Sequence, residues 1–582
     1  MRRPTVLLLS LALIASAKKS DDVKSPKQNE TTNVIVLFRT KPSDKHHGKV
    51  TGNGGKVRGK FDNMDIASYE VNAKALDDLD KDDDVVSITP DRPVQGHANM
   101  GEGNGAIRRW QLDSWYNQQP NPCRGCLGGV PVGVAVIDSG MTTKSDFNWW
   151  NTTTSRIVYQ QSFIDSSTSD LYGHGTHVAG IIGAEGNVSC LQPGLDSTGN
   201  CKGDAFFGVA AGVQFVSLKV LDANGVGTDS AVIAAIDKAI SLKSTYNIRV
   251  INLSLGRPVK ESYKTDPLCQ AVERAWTNGI VVVVSAGNEG RNNSANTKGY
   301  GTISAPGNDP LVITVGALYT GQDWTDSNDR PTTYTSKGPT AIDQIAKPDI
   351  LAPGNNIVSE QAAGSKLVTL YPGNRPAISS YWPWVAGTTA SSDYFALNGT
   401  SMATPFVSGA AALLIDRDRS LTPDQVKARL MKYARRGIPR TVSVYDTPTA
   451  QWFSVKSDIF TVGAGILDAN AAFMATDKPT GSAASPKASY NSTTKKVTLN
   501  YAATGGTNVV WSDTGAFASN VVWGENIVAG SNVVWSDNVV WGENVVWGDT
   551  TVSGFNVVWG SAASITGSPN ATALALLANG DK

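Results

Sequence analysis

Short apolar runs alternate with amphipathic stretches along most of this 582-residue chain. Continuous Val/Ile-rich runs predict strands buried on both faces, and these occur at Val132–Ile137, Val213–Leu221, Val250–Leu255, Ile280–Val284 and Leu311–Val315. Apolar positions with helical spacing lie between them, as in Asp229–Ser241 and Asp266–Asn278. The alternation predicts an α/β fold of three layers with a mostly parallel central sheet. Ligands on such sheets bind at the carboxyl ends of the strands.

A smaller α+β domain is predicted ahead of this region, over residues 31–95. Its expected strands and helix are Val34–Phe38, Ile66–Val71, Ala73–Leu79 (the helix) and Val85–Thr89. Residues 96–106 are rich in Gly and Asn and have no apolar period, which predicts an exposed, cleavable linker. The larger domain is expected to extend over residues 107–474.

The N-terminus has the features of an export signal. Arg2 and Arg3 precede the apolar run Val6–Ala17, which ends in the small-residue pattern Ala15-Ser16-Ala17. We therefore predict a signal peptide over residues 1–17 and a secreted protein; a buried strand or helix would leave the arginine pair and the cleavage pattern unexplained. No other segment approaches 18 uninterrupted apolar residues, so no membrane span is predicted.

Charge and cysteine content narrow the class of protein. Lys+Arg and Asp+Glu both number 51, which gives no electrostatic case for nucleic acid as a partner. Export permits disulfides, and Cys190 with Cys201 flank a turn-rich loop that a disulfide would staple. Cys123 and Cys126 favour a tight structural disulfide over a redox or zinc site, whereas Cys269 is expected to be a free core thiol.

The C-terminal part of the chain is repetitive. Residues 475–507 are rich in Ser, Thr, Ala, Lys and Pro and predict a linker. In residues 508–561 the tetrapeptide Asn-Val-Val-Trp begins at 508, 520, 532, 538, 544 and 556, so the region is an array of hexapeptides. Stacked short strands, a surface-binding role for the tryptophans, and a protective or disordered appendage all remain open. Residues 562–582 are predicted to be a disordered tail.

Histidine is scarce, which limits the candidates for proton transfer. If the linker is cut beyond His97, only His174 and His177 remain in the mature chain. The zinc-protease pattern needs histidines four apart with a glutamate between them, and Gly-Thr stands between these two. His174 is therefore the candidate catalytic base, no metal ligand is predicted, and His177 is expected to be a hydrogen-bonded structural residue.

Three further polar residues follow strands or open a helix. Asp138 ends the strand Val134–Ile137 and would suit an imidazole partner, although strand-end aspartates are often plain turn formers. Ser401 precedes the small apolar helix Phe406–Leu414, where it is either a nucleophile or simply a helix cap. Asn288 follows the strand Val281–Val284 and is either an oxyanion donor or a turn residue.

Together these motifs resemble the subtilisin family, in the chain order Asp, His, Ser that is typical of it. The resemblance, which covers residues 107–474, implies a subtilisin-like fold and a serine endopeptidase that needs no cofactor. It implies Asp138, His174 and Ser401 as the catalytic triad and Asn288 in the oxyanion hole. It also implies substrate binding by Ser254, Leu255 and Gly256 as an edge strand, and by Ala305, Pro306 and Gly307 as a pocket wall.

The resemblance carries further expectations. The N-terminal domain is similar to an inhibitor-type propeptide, so we expect an autoprocessed zymogen cut between Gln95 and Ile107. Protein or peptide substrates, the chain's own propeptide as inhibitor, a monomeric state and a structural calcium ion are compatible with it. A long aromatic connection between Gly354 and Asn398 either overhangs the cleft or packs on the outer surface. The alternative function is an inactive subtilase fold used for binding or adhesion.

Overall fold

The chain divides into two units, residues 1–61 with 65–91, and residues 62–64 with 92–582. The structure, a computed structural model, describes residues 18–96 except 28–29, and residues 130–506. Gaps in the second range are 193, 195–196, 198–200, 203–205, 291–298, 321–327, 383, 437, 440, 447–450 and 492–495. The predicted signal peptide, Cys123, Cys126, the hexapeptide array and the tail lie outside the described residues.

The first unit is a four-stranded antiparallel sheet with two helices. Its elements are β1 (Thr32–Phe38), α1 (Asp44–Gly52), β2 (Lys56–Lys60), β3 (Ile66–Val71), α2 (Ala73–Asp80) and β4 (Val85–Pro90). The strand order is β2-β3-β1-β4. Inward-facing residues of the sheet, such as Val34, Val36 and Tyr69, pack against Leu76 and Leu79 of α2 to form its core. The expected strands and helix are all present, and α1 and β2 were not predicted.

The second unit contains an eight-stranded sheet that is parallel except at one edge. The strands that follow β4 are β5 (Pro93–Gly96), β6 (Gly133–Asp138), β7 (Ile157–Ser162), β8 (Gln214–Lys219), β9 (Val226–Thr228), β10 (Ile248–Leu253), β11 (Leu255–Gly256), β12 (Val281–Ser285), β13 (Ile313–Tyr319), β14 (Arg330–Pro331) and β15 (Ile350–Pro353). The order β14-β13-β12-β10-β6-β8-β7, with β15 also on β13, confirms the mostly parallel sheet. Strands β6 and β12 are buried on both faces, as their continuous apolar sequences predict.

Helices cover both faces of this sheet. They are α3 (His174–Gly183), α4 (Asp229–Leu242), α5 (Pro267–Thr277), α6 (Lys366–Leu370), α7 (Thr400–Arg417), α8 (Pro423–Lys432), α9 (Ile459–Val462) and α10 (Ala469–Met474). Helices α3 and α7 contact each other, and α7 lies along β10, β12, β13 and β15. Helix α4 packs on α5; α4 contacts β6, β8 and β10, and α5 contacts β12. Helix α5 begins where the Asp266 carboxylate accepts from Leu268 N, with Pro267 in the first turn. The three-layer α/β prediction is thus confirmed.

Smaller sheets complete the second unit. Strand β5 lies between β11 and β9 in an antiparallel three-stranded sheet. The remaining strands form antiparallel pairs: β16 (Ile357–Glu360) with β17 (Tyr394–Leu397), β18 (Thr441–Asp446) with β19 (Gln451–Lys456), and β20 (Lys487–Asn491) with β21 (Lys496–Asn500). A disulfide joins Cys190 to Cys201 and Cys269 is a buried free thiol, both as predicted. Among the helices of the described part, none is long and apolar enough to cross a bilayer.

The segment predicted as a linker, residues 475–507, is packed on the second unit in its described part. Ser485 N donates to Pro310 O at 2.8 Å, and Ala346 N donates to Pro486 O at 2.8 Å. Ala484 and Ala488 are buried. Small side chains made the composition linker-like, but they also let this backbone approach the domain closely enough for hydrogen bonding.

Candidate active site

Asp138 is the last residue of β6, and His174 is the first residue of α3. The imidazole Nδ1 and the Asp138 Oδ1 atom are 2.7 Å apart, and both side chains are fully buried. Asp138 Oδ1 also accepts from Ser139 N at 2.7 Å. The other imidazole nitrogen, Nε2, is buried and has no hydrogen-bond partner among the described residues. A carboxylate that fixes Nδ1–H leaves Nε2 as the basic nitrogen.

Two residues that the sequence did not single out fix the start of α3. The Asp170 carboxylate accepts from Gly173 N at 2.7 Å and Thr176 N at 2.8 Å. Ser139 Oγ donates to Asp170 at 2.8 Å and accepts from Gly175 N at 2.9 Å. Acidic groups are favourable at helix N-termini, and an aspartate four residues before His174 was a signal of such a cap. Burial raises the pKa of Asp170.

Ser401 is the second residue of α7 and faces the edge strand. Its hydroxyl donates to the carbonyl oxygen of Ser254 at 2.9 Å, while Ser254 Oγ donates to the carbonyl oxygen of Ser401 at 2.9 Å. Helix α7 begins after Gly399, whose φ of 136° is open to glycine and strained for other residues. The helix N-terminus thus lies at Ser401, where its dipole favours negative charge.

Asn288 lies beyond β12 and contacts the same helix N-terminus. Its Oδ1 atom accepts from Thr400 N and from Thr400 Oγ1, both at 3.0 Å. Thr400 Oγ1 in turn accepts from Gly287 N at 3.2 Å. Because the Asn288 amide oxygen accepts both hydrogen bonds from Thr400, the NH2 group of the same amide points away from Thr400. Thr400 was not among the predicted site residues.

The predicted edge segment Ser254–Gly256 supports an extended strand. Leu255 is in register with Gly96 and Gly256 with Gln95 of β5. A Cβ atom built on Gly96 would lie 3.5 Å from Nδ1 and Cε1 of His174.

The predicted pocket wall continues the edge strand. Ala305 N donates to Arg257 O at 2.8 Å, and Arg257 N donates to Ala305 O at 3.0 Å. Thr314 Oγ1 donates to the carbonyl oxygen of Gly307 at 2.7 Å. Ala305–Gly307 therefore lies next to the residue that follows Gly256.

His177 is a structural residue in its contacts, as predicted. Its Nε2 lies 3.0 Å from the carbonyl oxygens of Ile357 and Phe395, and burial, with a smaller effect of His174, lowers its pKa to about 3. Within the described residues, no group of three or more His, Cys, Asp or Glu side chains gathers that could hold a metal ion.

The long connection after Gly354 has two parts with different surroundings. Lys366 N donates to Leu171 O at 3.0 Å and Leu367 N to Tyr172 O at 3.1 Å, so α6 lies on the residues that lead into His174. The aromatic part packs elsewhere: Tyr381 and Tyr394 are buried with Phe206 and Val188. The aromatic part is therefore packed into the domain, and an overhang of α6 on the cleft stays a prediction.

Comparisons with known proteins identify the family. The sequence model described as the Subtilase family, peptidase S8, matches residues 129–465. Serine protease AprX of Bacillus subtilis (strain 168) is 34% identical over 311 residues, 52% of this chain and 61% of that protein. Subtilisin E of the same organism is 32% identical over 435 residues, 73% of this chain and 91% of that protein.

A solved structure supports the fold. Fervidolysin from Fervidobacterium pennivorans, described as a keratinolytic enzyme related to subtilisin, superposes with a TM-score of 0.53 and 20% identity. The superposition covers 80% of this chain and 63% of that one, and at this identity it shows the fold alone. Because the family's sequence model matches more than half of this chain, the chain belongs to the Subtilase family of serine endopeptidases.

Proposed function

We propose that this subtilase is secreted as a zymogen, matures by cutting itself, and then hydrolyses peptide bonds through an acyl-enzyme intermediate. The observation that carries the proposal is the buried Asp138–His174 pair at 2.7 Å beside an extended segment of chain, β5, on the edge strand. A paired acid and imidazole next to a bound strand is the arrangement that peptide-bond hydrolysis requires.

The roles follow from the geometry of each group. Ser401 Oγ leaves the Ser254 carbonyl, turns toward His174 Nε2, and attacks the substrate carbonyl carbon as Nε2 accepts its proton. Asp138 stabilises the resulting imidazolium through Nδ1–H. The imidazolium then protonates the leaving amine, and the same base activates water to hydrolyse the acyl-enzyme.

The negative oxygen of the tetrahedral intermediate needs fixed donors. We assign this role to the Asn288 NH2 group and the Ser401 backbone N–H, at the N-terminus of α7. Thr400 holds the amide in one orientation before the charge develops, so little reorganisation is needed at that moment.

Strand β5 supports a propeptide that inhibits the enzyme as a substrate-like ligand. Residues Pro93–Gly96 fill the space between β9 and β11 through main-chain pairing, which is how an extended peptide adds to a sheet edge. Cleavage beyond Gly96 would release this strand. The full burial of His174 and Ser401 agrees with a covered cleft.

Export and assembly complete the proposal. The apolar leader predicts secretion, and the Cys190–Cys201 disulfide is compatible with an oxidising compartment. We propose a monomer that acts on proteins or peptides without a cofactor, and we assign no catalytic step to calcium.

The test compares wild type with Ser401→Ala, expressed without other proteases. The wild type is expected to lose its N-terminal domain by a cut between Gln95 and Ile107 and to be labelled by a fluorophosphonate; Ser401→Ala is expected to stay full-length and unlabelled. Ser420→Ala, at an exposed serine beyond α7, is the matched control and should behave as wild type. Normal N-termini in Ser401→Ala would refute self-cleavage, and an unlabelled wild type that binds peptides would favour the binding protein.

A further inference from the structure

An arginine just before the bound strand is almost completely buried. The Arg92 side chain is 6% exposed, and its Nη1 atom donates to Glu261 Oε1 at 2.5 Å. Arginine is rarely buried without a charged partner, and the pair with a glutamate is charge-assisted. Arg92 is therefore bound in a site that is built to receive a cation.

Glu261 belongs to a group of three carboxylates and two arginines, of which one arginine, Arg92, precedes the bound strand. Asp229 and Asp266 are fully buried, and both accept from the same guanidinium, that of Arg257, at 2.8–2.9 Å. Arg257 is thus engaged by two carboxylates, and Glu261 is the third carboxylate of the group. Burial and, to a smaller extent, Asp266 raise the pKa of Glu261 to about 7, while Arg92 and Arg257 oppose the shift. We call Asp229, Glu261 and Asp266 the acidic subsite.

The acidic subsite is continuous with the substrate cleft. Asp229 directly follows β9, and its N–H donates to the carbonyl oxygen of Arg92 at 2.8 Å. Glu261 and Asp266 lie in the loop that follows β11. The segments that follow β9 and β11, the two strands beside β5, therefore form the subsite. Arg92, which occupies it, is four residues before Gly96, the residue beside His174.

We propose that the acidic subsite binds the guanidinium or ammonium group of a substrate residue four positions before the one that lies beside His174. The inference rests on the proposed protease function, because Arg92 must leave with the rest of the propeptide. When Arg92 leaves, the Glu261 carboxylate remains largely buried and has no cation on the substrate side, and an unpaired buried charge is costly. A basic substrate residue at that position restores the pairing and strengthens binding of the same extended strand.

The test uses mature wild-type enzyme and three internally quenched peptides with the sequence of residues 90–99. The peptides carry arginine, citrulline or norleucine at the position of Arg92; citrulline keeps the shape of arginine and removes its charge. We expect kcat/KM to be about tenfold higher for arginine than for citrulline, because a charge-assisted pair is lost. In Glu261→Gln the ratio should fall to within about twofold, since one carboxylate is neutralised. Asp416→Asn, at a residue of α7 that pairs with Arg419, is the matched control and should keep the wild-type ratio.

The outcomes separate the inference from the function on which it rests. Equal kcat/KM for the arginine and citrulline peptides, in an enzyme that a fluorophosphonate labels, would overturn the subsite and leave the protease function intact. Absence of both hydrolysis and labelling would overturn both. A strong arginine preference that persists unchanged in Glu261→Gln would also reject the subsite. The wild-type comparison decides the question even if that variant does not fold.

Discussion

At the scale of single residues, Pro405 determines how the candidate nucleophile is anchored. A proline has no N–H, so the carbonyl oxygen of Ser401, four residues earlier in α7, has no helical donor. Ser254 Oγ takes the place of that donor at 2.9 Å, while the Ser254 carbonyl accepts from Ser401 Oγ. One serine of the proposed substrate-binding segment thus also fixes the position of the proposed nucleophile.

Ser254→Ala should destabilise the protein by about 1–3 kcal/mol, because a buried carbonyl loses its only described side-chain donor. The apparent Tm of Ser401→Ala with and without this change, at one scan rate, measures the cost without self-digestion. Ser254→Thr keeps the hydroxyl and is the control. Pro405→Ala restores a helical N–H, so in that background Ser254→Ala should cost less; an undiminished cost would contradict the explanation.

Thr400 and Asn288 supply a second prediction at this scale. Asn288→Ala should lower kcat about 10²–10³-fold with little change in KM, because the amide donates to the oxyanion in the transition state. Thr400→Val removes the hydroxyl donor to Asn288 Oδ1 and should lower kcat by a smaller factor. Steady-state kinetics on one peptide measures both.

The conservative variant Thr400→Ser keeps the hydroxyl and should recover most of the lost kcat. If Thr400→Val and Thr400→Ser have the same kcat, the hydroxyl does not position the amide. An effect of Asn288→Ala on KM alone would place that residue in substrate binding instead.

The candidate site residues stand in local sequence motifs, whereas most of the residues that support them do not. Asp138, His174 and Ser401 each stand in a short recognisable segment. Asp170 has local partners at Gly173 and Thr176, so its cap had a sequence signal. Ser139 and Thr400 instead act through partners that are distant in sequence and close in space, because the parallel strands end at one edge of the sheet. No sequence period reports such contacts.

At the scale of elements, the connection after Gly354 contributes to the site through one short helix. Helix α6 pairs with the backbone of Leu171 and Tyr172, and a Cβ atom on Gly173 would lie 2.4 Å from Ser365 Oγ. The later part of the connection instead places Tyr381 in a buried aromatic cluster. These two parts should therefore respond differently to mutation.

Replacing Lys366–Leu370 with a Gly/Ser segment of equal length should change the peptide preference, because α6 supports the residues that lead into His174. Tyr381→Ala should lower stability by about 3–5 kcal/mol, as for other buried aromatic truncations, and leave the preference as in wild type. Cleavage profiles of a peptide library and apparent Tm values separate the effects. An unchanged profile after the α6 replacement would exclude a role in specificity.

The elements that sequence predicted best are those with one dominant physical signal. Strands such as β12 are continuous Val/Ile runs, and their burial on both faces follows directly. Strand β7, with the sequence Ile-Val-Tyr-Gln-Gln-Ser, is half-buried and half polar, so it lacked that signal. Helix α1 is short and contains His46 and His47, whose burial depends on partners such as Tyr69 across the sheet.

At the scale of the whole molecule, the segment after α10 decides where the catalytic unit ends. Ser485 Oγ donates to Asp349 Oδ1 at 2.5 Å and accepts from Lys427 Nζ at 2.9 Å, inside a fully buried group that includes Lys347. Burial lowers the pKa of Lys347 to about 7, while Asp349 opposes the shift. A serine from outside the predicted domain thus completes the hydrogen bonding of buried charges.

Truncation after residue 474 should therefore give a less stable enzyme than truncation after residue 506. The shorter chain loses both hydrogen bonds of the Ser485 side chain and three backbone hydrogen bonds made by Ser485, Pro486 and Ala488. At about 1 kcal/mol each, the three backbone bonds alone account for about 3 kcal/mol. Ser485→Ala in the chain ending at 506 tests the buried group alone and should reproduce part of the effect. Because many large, disulfide-bonded proteins unfold irreversibly, the measurement is the inactivation rate at one elevated temperature. Equal rates for the two truncations would mean that residues 475–506 are the simple linker their composition suggests, and that the catalytic unit ends at α10.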